Sequence, residues 1–138
     1  MSKIPIFLIA IAMNTMFTSC SADGQWTFGM TYHVHIINGF KNNSNPLKVH
    51  CRSKDDDLGE HKLGINGEIS WHFKVRLDGS TLFYCDAKKG QHSKHFNAFD
   101  ATVEGSKCDI SSHCYWLLAE GGFYFSTDNF TWMKQFEW

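Results

Sequence analysis

Leu47-Lys48-Val49-His50-Cys51-Arg52-Ser53-Lys54-Asp55-Asp56-Asp57-Leu58-Gly59 is the stretch on which the fold reading turns. In its first half Leu47, Val49 and Cys51 alternate with Lys48, His50 and Arg52. Successive side chains of a strand point to opposite faces, so this half reads as a half-buried strand that carries a cysteine into the core. After Ser53 the character changes to Lys54 and three consecutive aspartates. Adjacent carboxylates repel one another and are costly to bury, which places Asp55, Asp56 and Asp57 on an exposed loop. A core strand, a disulfide anchor and a charged loop follow one another in this one segment.

The same alternation recurs on both sides. Thr31 to Ile37 sets Tyr32, Val34 and Ile36 against His33 and His35, and Asn38-Gly39 marks its end. Asn66-Gly67 is a turn pair, after which Ile69, Trp71, Phe73 and Val75 alternate with Ser70, His72, Lys74 and Arg76. Asp78-Gly79 predicts a hairpin with Thr81 to Cys85 as the returning strand. Lys88 to His95 reads as a basic loop, and Phe96 to Val103 as a further strand. Cys114 to Ala119 and Phe123 to Ser126 flank Glu120-Gly121-Gly122 as a tight hairpin, and Thr131 to Phe136 closes the chain as a last strand. No segment carries a helical stripe of useful length. Roughly eight short strands with glycine-rich turns predict an all-β fold, a small antiparallel β-sandwich.

Met1-Ser2-Lys3, the apolar run Ile4 to Met13 and the small, polar Asn14 to Ala22 have the order of a secretory signal peptide. The apolar run is shorter than the roughly 20 residues that span a bilayer. The expectation is a leader at 1–22 and a single mature domain at 23–138, secreted, extracellular and without stable membrane insertion. Removing Lys3 shifts the formal charge from −1 to −2, so the chain offers no basic field for nucleic acid. Tryptophans at 26, 71, 116, 132 and 138 suit a small core filled with large rings. Asn42-Asn43-Ser44 and Asn129-Phe130-Thr131 are glycosylation sequons.

Cys20 falls in the leader, which leaves Cys51, Cys85, Cys108 and Cys114. An even set in a small secreted domain implies two disulfides with three connectivities open. Cys51, Cys85 and Cys114 look strand-borne and Cys108 sits in a polar stretch; Cys51–Cys114 with Cys85–Cys108 is the favoured pairing. There is no Cys-x-x-Cys pair for zinc. His33 with His35 and His92 with His95 could meet as two ligand pairs, but neither has a carboxylate or cysteine at metal-ligand spacing, so no metal and no cofactor is expected. Asp55 to Asp57 lack the alternating oxygens and distant glutamate of a calcium loop. No Gly-x-Ser-x-Gly turn is present, and Glu60, Glu68, Glu104 and Glu120 give a carboxylate pair no defined separation. The chain reads as a non-enzyme.

Taken in order, certain blocks resemble the plant self-incompatibility protein family, the secreted S-protein homologues. They are His35-Ile36-Ile37-Asn38, Leu47 with Val49 to Gly59, Trp71-His72-Phe73, Leu82-Phe83-Tyr84-Cys85, Phe99-Asp100, Cys108 with Cys114-Tyr115-Trp116, Gly121 to Ser126, and Trp132 with Trp138. The resemblance implies a small secreted β-sandwich with two disulfides and a non-enzymatic role as a diffusible ligand for a cell-surface partner. In the best-known members that recognition rejects self pollen. Many relatives place a tryptophan soon after the second cysteine, whereas Asp86 to His95 is basic and polar here.

Loops held by a disulfide-stapled sandwich carry recognition. The expected receptor-binding residues are therefore Lys54, Asp55, Asp56 and Asp57 on an acidic loop, and Lys88, Lys89, His92 and Lys94 on a basic one. The expected function is that of a monomeric, secreted signalling ligand for a plant cell-surface receptor in reproductive recognition. The alternative is a secreted carbohydrate-binding or defence protein acting on cell walls or microbes, which would need an exposed aromatic platform.

Overall fold

A computed structural model of the chain describes residues 29–42 and 44–138; the leader at 1–22, Trp26 and Asn43 lie outside the described residues. The described strands are β1 (Thr31–Asn38), β2 (Leu47–Arg52), β3 (Asp57–Leu63), β4 (Glu68–Lys74), β5 (Leu82–Lys89), β6 (His92–Asp100), β7 (His113–Ala119), β8 (Gly122–Ser126) and β9 (Met133–Phe136). One turn of helix, α1 (Glu104–Lys107), sits between β6 and β7. The strands form a five-stranded sheet in the order β4-β1-β7-β8-β9 and a four-stranded sheet in the order β3-β2-β5-β6. Pairing is antiparallel except between β1 and β7, which run parallel.

Alternation becomes burial. Tyr32, Val34 and Ile36 of β1 and Cys114, Trp116 and Leu118 of β7 face Leu47, Val49 and Cys51 of β2 and Phe83, Cys85 and Ala87 of β5 across one core. Each fully buried aliphatic or aromatic side chain contributes about 1.5–3 kcal/mol. Rings interlock between the sheets: Phe73 of β4 lies 4.6 Å from Phe83 and 4.8 Å from Phe99, and Phe96 of β6 lies 4.9 Å from Phe123. The Trp116 indole N–H donates to the Ala98 carbonyl at 2.9 Å, tying β7 to β6 through a buried polar contact.

Both disulfides form, with pairing other than that favoured from the sequence. Cys51 bonds Cys85, and Cys108 bonds Cys114. Cys51 and Cys85 are direct register partners on adjacent strands β2 and β5, whereas Cys114 lies on β7 in the opposite sheet. The Cys108–Cys114 bond instead closes the loop that follows α1.

Three further expectations are corrected. Asp78-Gly79 is a turn, but β4 pairs with β1 and β5 with β2 and β6, so the chain changes sheet there instead of forming a hairpin. Lys88 to His95 is not a loop: β5 runs to Lys89, β6 starts at His92, and only Gly90 and Gln91 join them. Finally, Asp57 begins β3, an edge strand in which only Leu63 is buried.

Strand directions sort the connections to two ends of the sandwich. Segments 53–56, 75–81, 101–112 and 127–132 lie at one end; 39–46, 64–67, 90–91 and 120–121 lie at the other. At the first end the Tyr32 hydroxyl of β1 donates to the Gly105 carbonyl of α1, and at the second the Asn38 amide of β1 donates to the Leu63 carbonyl of β3, which joins the two sheets.

Candidate functional site

The segment 53–56 arises because β2 ends at Arg52, where the alternation gives way to charge. Its backbone is closed by the Ser53 N–H donating to the Asp56 carbonyl and the Asp56 N–H donating to the Ser53 hydroxyl. Beside it, the β4–β5 connection is shaped by Asp78, whose carboxylate accepts from the Ser80 hydroxyl and N–H and is thereby held below the usual carboxylate range. Between the two segments lies an open cleft of about 660 Å³. Phe73, Leu82, Phe83 and Tyr84 give it apolar surface, and Lys54, Asp55, Asp56, Lys74 and Arg76 give it charge.

The three aspartates have three different settings. Asp55 accepts from the Arg76 guanidinium at 2.8 Å, which pins the loop to the β4 side of the cleft. Asp57 accepts the Gly59 N–H and contacts His50, and these hold its carboxyl below the ordinary range. The Asp56 carboxylate has no hydrogen-bond or ion-pair partner among the described residues, and with Lys54 it is exposed beside the cleft. Asp56 is therefore the acid of the three left available to a partner.

Other features gather at this end. Leu77, Val103, Ile110, Phe130 and Met133 are exposed apolar side chains on its loops or at their margins, whereas Ile65 alone among the described large apolar residues is exposed at the opposite end. The loop carrying Phe130 is ordered by Asp128, which accepts N–H groups of Thr131 and Phe130 and the Ser126 hydroxyl and is held well below the carboxylate range by them. Asn129 on this loop and Asn42 at the other end are both exposed. Buried Glu104 accepts the Asp100 N–H at 2.8 Å; burial pushes its carboxyl upward.

The second group named from the sequence lies at the far end. Lys88 and His92 are exposed there. Lys89 is buried, donates to the Asn45 carbonyl and lies over the Phe40 ring, so it is a structural residue and not a loop contact. Lys94 is half-buried over Phe136. The fold separates the acidic and basic groups instead of forming one surface from them.

Histidines also assemble differently from the pairs considered in the sequence. His33 on β1 is the register partner of His72 on β4 and His113 on β7, and its ring stacks on His113 at 4.4 Å. His35 bonds His113 at 2.9 Å and Glu68 at 2.7 Å. Burial, with His33 and His35 alongside, pushes the His113 imidazole downward. His92 and His95 belong to the other sheet. Among the described residues no group of three or more His, Cys, Asp or Glu side chains is arranged to hold a metal ion. No described helix is long and apolar enough to cross a membrane.

A family model described as plant self-incompatibility protein S1 matches residues 33–138. The chain belongs to the plant self-incompatibility protein S1 family. The S1-family match spans all the described strands apart from the first two residues of β1, and so includes the cleft and both disulfides. Among similar proteins, S-protein homolog 6 of Arabidopsis thaliana is 36% identical over 120 residues, covering 86% of this chain and 85% of its own length. S-protein homolog 3 of the same plant is 28% identical over 139 residues, covering 99% and 92%. A solved structure described as an SPH (self-incompatibility protein homologue), from a widespread family of small, highly stable, secreted plant proteins, superposes with a TM-score of 0.59 at 19% identity. It covers 78% of this chain and 93% of its own, and the likeness is one of fold.

Proposed function

We propose that this S1-family chain is a secreted, non-enzymatic signalling ligand that a plant cell-surface protein recognises, in reproductive or other cell–cell recognition. The mature ligand is residues 23–138, released from a leader at 1–22, and it acts as a monomer. The observation that supports this reading is the cleft at the acidic end, with pinned Asp55, unpaired Asp56 and apolar side chains exposed on neighbouring loops. Exposed apolar anchors supply interface energy, and a charged rim supplies orientation and specificity. The partner surface that fits is a protein face with a basic side chain for Asp56 and apolar side chains for the cleft.

Recognition of neutral sugars by ring stacking is less well supported. Trp116 is buried, and Trp71, Trp132 and Trp138 are each half-buried, so the described tryptophans form no exposed platform.

The test is binding of labelled, oxidised mature protein to intact plant cells or pollen, with unlabelled competitor and a protease-treated control. Saturable binding that protease destroys is the expected result. Absence of any saturable component that protease destroys would overturn the receptor reading.

A further inference from the structure

Lys62, Lys48 and Lys88 form one row on the outer face of the four-stranded sheet. Lys48 of β2 is the register partner of both Lys62 on β3 and Lys88 on β5. The three lysines line a shallow cleft of about 280 Å³ together with Asn45, Pro46 and Gly90. None of the three is ion-paired among the described residues, although Arg52, Arg76 and Lys134 each hold a carboxylate. Like charges directly opposite on paired strands destabilise a sheet. Two such pairs side by side work against folding, and no carboxylate among the described residues forms an ion pair with them.

The adjacent row sets the shape of the site. It reads Glu60, His50, Asp86 and His95 across β3, β2, β5 and β6. Asp86 is already engaged by Arg52 at 3.0 Å and His95 at 2.8 Å, so it does not neutralise the lysines. The positive strip is therefore one residue wide, runs across the strands, and has carboxylates along one border.

We infer that this row is a binding strip for a linear polyuronate, an acidic polysaccharide with one carboxylate per sugar. Neighbouring strands lie about 4.8 Å apart, which spaces the lysine stems on the scale of a single sugar ring. Lysine is a compact point charge on a flexible stem, suited to carboxylates whose spacing varies slightly. A narrow strip accepts a thin chain, whereas the bordering Glu60 and Asp86 oppose a broad anionic surface such as a bilayer. No aromatic ring lines the cleft, so charge and not stacking carries the contact. The strip lies at the opposite end from the Asp55 cleft and stands independently of the receptor reading.

The experiment is a titration of the full, oxidised mature protein with sodium polygalacturonate at low and moderate salt. Neutral dextran and phosphatidylserine vesicles serve as comparison probes. Saturable polygalacturonate binding that weakens with salt is expected, with little binding to dextran or vesicles. The K48Q/K88Q variant should bind about twenty-five-fold more weakly at low salt, at roughly a factor of five per lysine facing an anionic chain. K107Q/K134Q removes the same charge elsewhere and should bind like the wild type. The melting temperature of K48Q/K88Q should be unchanged or higher, because a like-charge contact has been removed. Equal weakening in both variants, vesicle binding as strong as polygalacturonate binding, or a lower melting temperature for K48Q/K88Q would each overturn the inference.

Discussion

The two ends of the sandwich solve the same problem differently. At the lysine end, β5 joins β6 through two residues and β7 joins β8 through two, and Phe123 and Trp138 pack their rings 4.5 Å apart. At the aspartate end three of the four connections run to six residues or more, against 39–46 alone at the lysine end, and side chains hold them: Asp78, Asp100 and Asp128 each accept the N–H two residues onward, and Cys108–Cys114 closes a loop covalently. Tight turns leave little surface for variation. Long loops fixed by carboxylates and a disulfide present apolar side chains and an unpaired acid in defined positions, which is what a recognition surface needs. Much of the negative charge at this end is thus used in building the loops, and Asp56 and Asp109 are the aspartates left without a partner among the described residues.

Phe123→Ala gives the largest expected change, because it removes a fully buried ring packed on Phe96, Phe136 and Trp138 at the lysine end. A loss of about 3–5 kcal/mol in denaturant unfolding is expected. Residual folded protein should keep its cell binding, since the aspartate end is untouched; loss of binding out of proportion to folding would break the separation of the two ends.

The disulfides sharpen the comparison next. They close sequence separations of 34 and 6 residues, so C51A/C85A should cost about 4 kcal/mol and C108A/C114A about 2 kcal/mol on the chain-entropy account. Despite its smaller effect on stability, C108A/C114A should reduce cell binding more, because it releases a loop at the aspartate end. The reverse order in unfolding experiments would show that native-state packing and not loop closure sets these values.

Acid provides a third probe, on the sheet face between the ends. The His113 imidazole is pushed downward by burial, with His33 and His35 adding to the effect, so the unfolded chain takes up the proton more readily than the folded one. Its contribution is fully present above the unfolded value near 6.5 and is lost as pH falls through the folded value. Melting temperature should therefore decline from neutral pH into mild acid, and His113→Gln should flatten that decline. In base the sign reverses for Tyr32, whose phenol is pushed up to about 12 by burial and then by Asp109. Its contribution is complete below about 10 and is lost as pH rises from there toward the folded value.

The smallest expected effect is that of Asp55→Asn. The Arg76–Asp55 pair is exposed, and such pairs stabilise by less than about 1 kcal/mol. Stability should barely change, whereas binding should weaken if the pinned loop geometry matters. Unchanged binding would limit the role of the pin to the free protein.

Strands with one buried face were legible in the sequence because alternation records burial directly: β1, β2, β4 and the β7–β8 hairpin fall where the pattern places them. Strand β3 was not, since an exposed edge strand reading Asp-Leu-Gly-Glu-His-Lys-Leu has almost no buried positions to record. The β5–β6 hairpin was hidden by Lys89, an inward-facing lysine whose stem packs on Phe40 while its ammonium reaches a carbonyl. Turn chemistry at Asp78-Gly79 specifies a reversal but not the sheet the chain enters afterwards. Disulfide pairing, the lysine row and the histidine cluster all depend on register between strands distant in sequence, so no local pattern carries them. The aspartate loop was legible as exposed; that Asp55 and Asp57 are engaged and Asp56 is not depends on Arg76 and His50, which the fold brings beside them.

The most direct test of the account is saturation binding to intact plant cells by Asp56→Lys and by K48Q/K88Q, measured side by side with the wild type. The account predicts that Asp56→Lys loses the protease-sensitive, saturable component while remaining folded, and that K48Q/K88Q retains it. Retention by Asp56→Lys together with loss in K48Q/K88Q would contradict it and move the recognition surface to the lysine end.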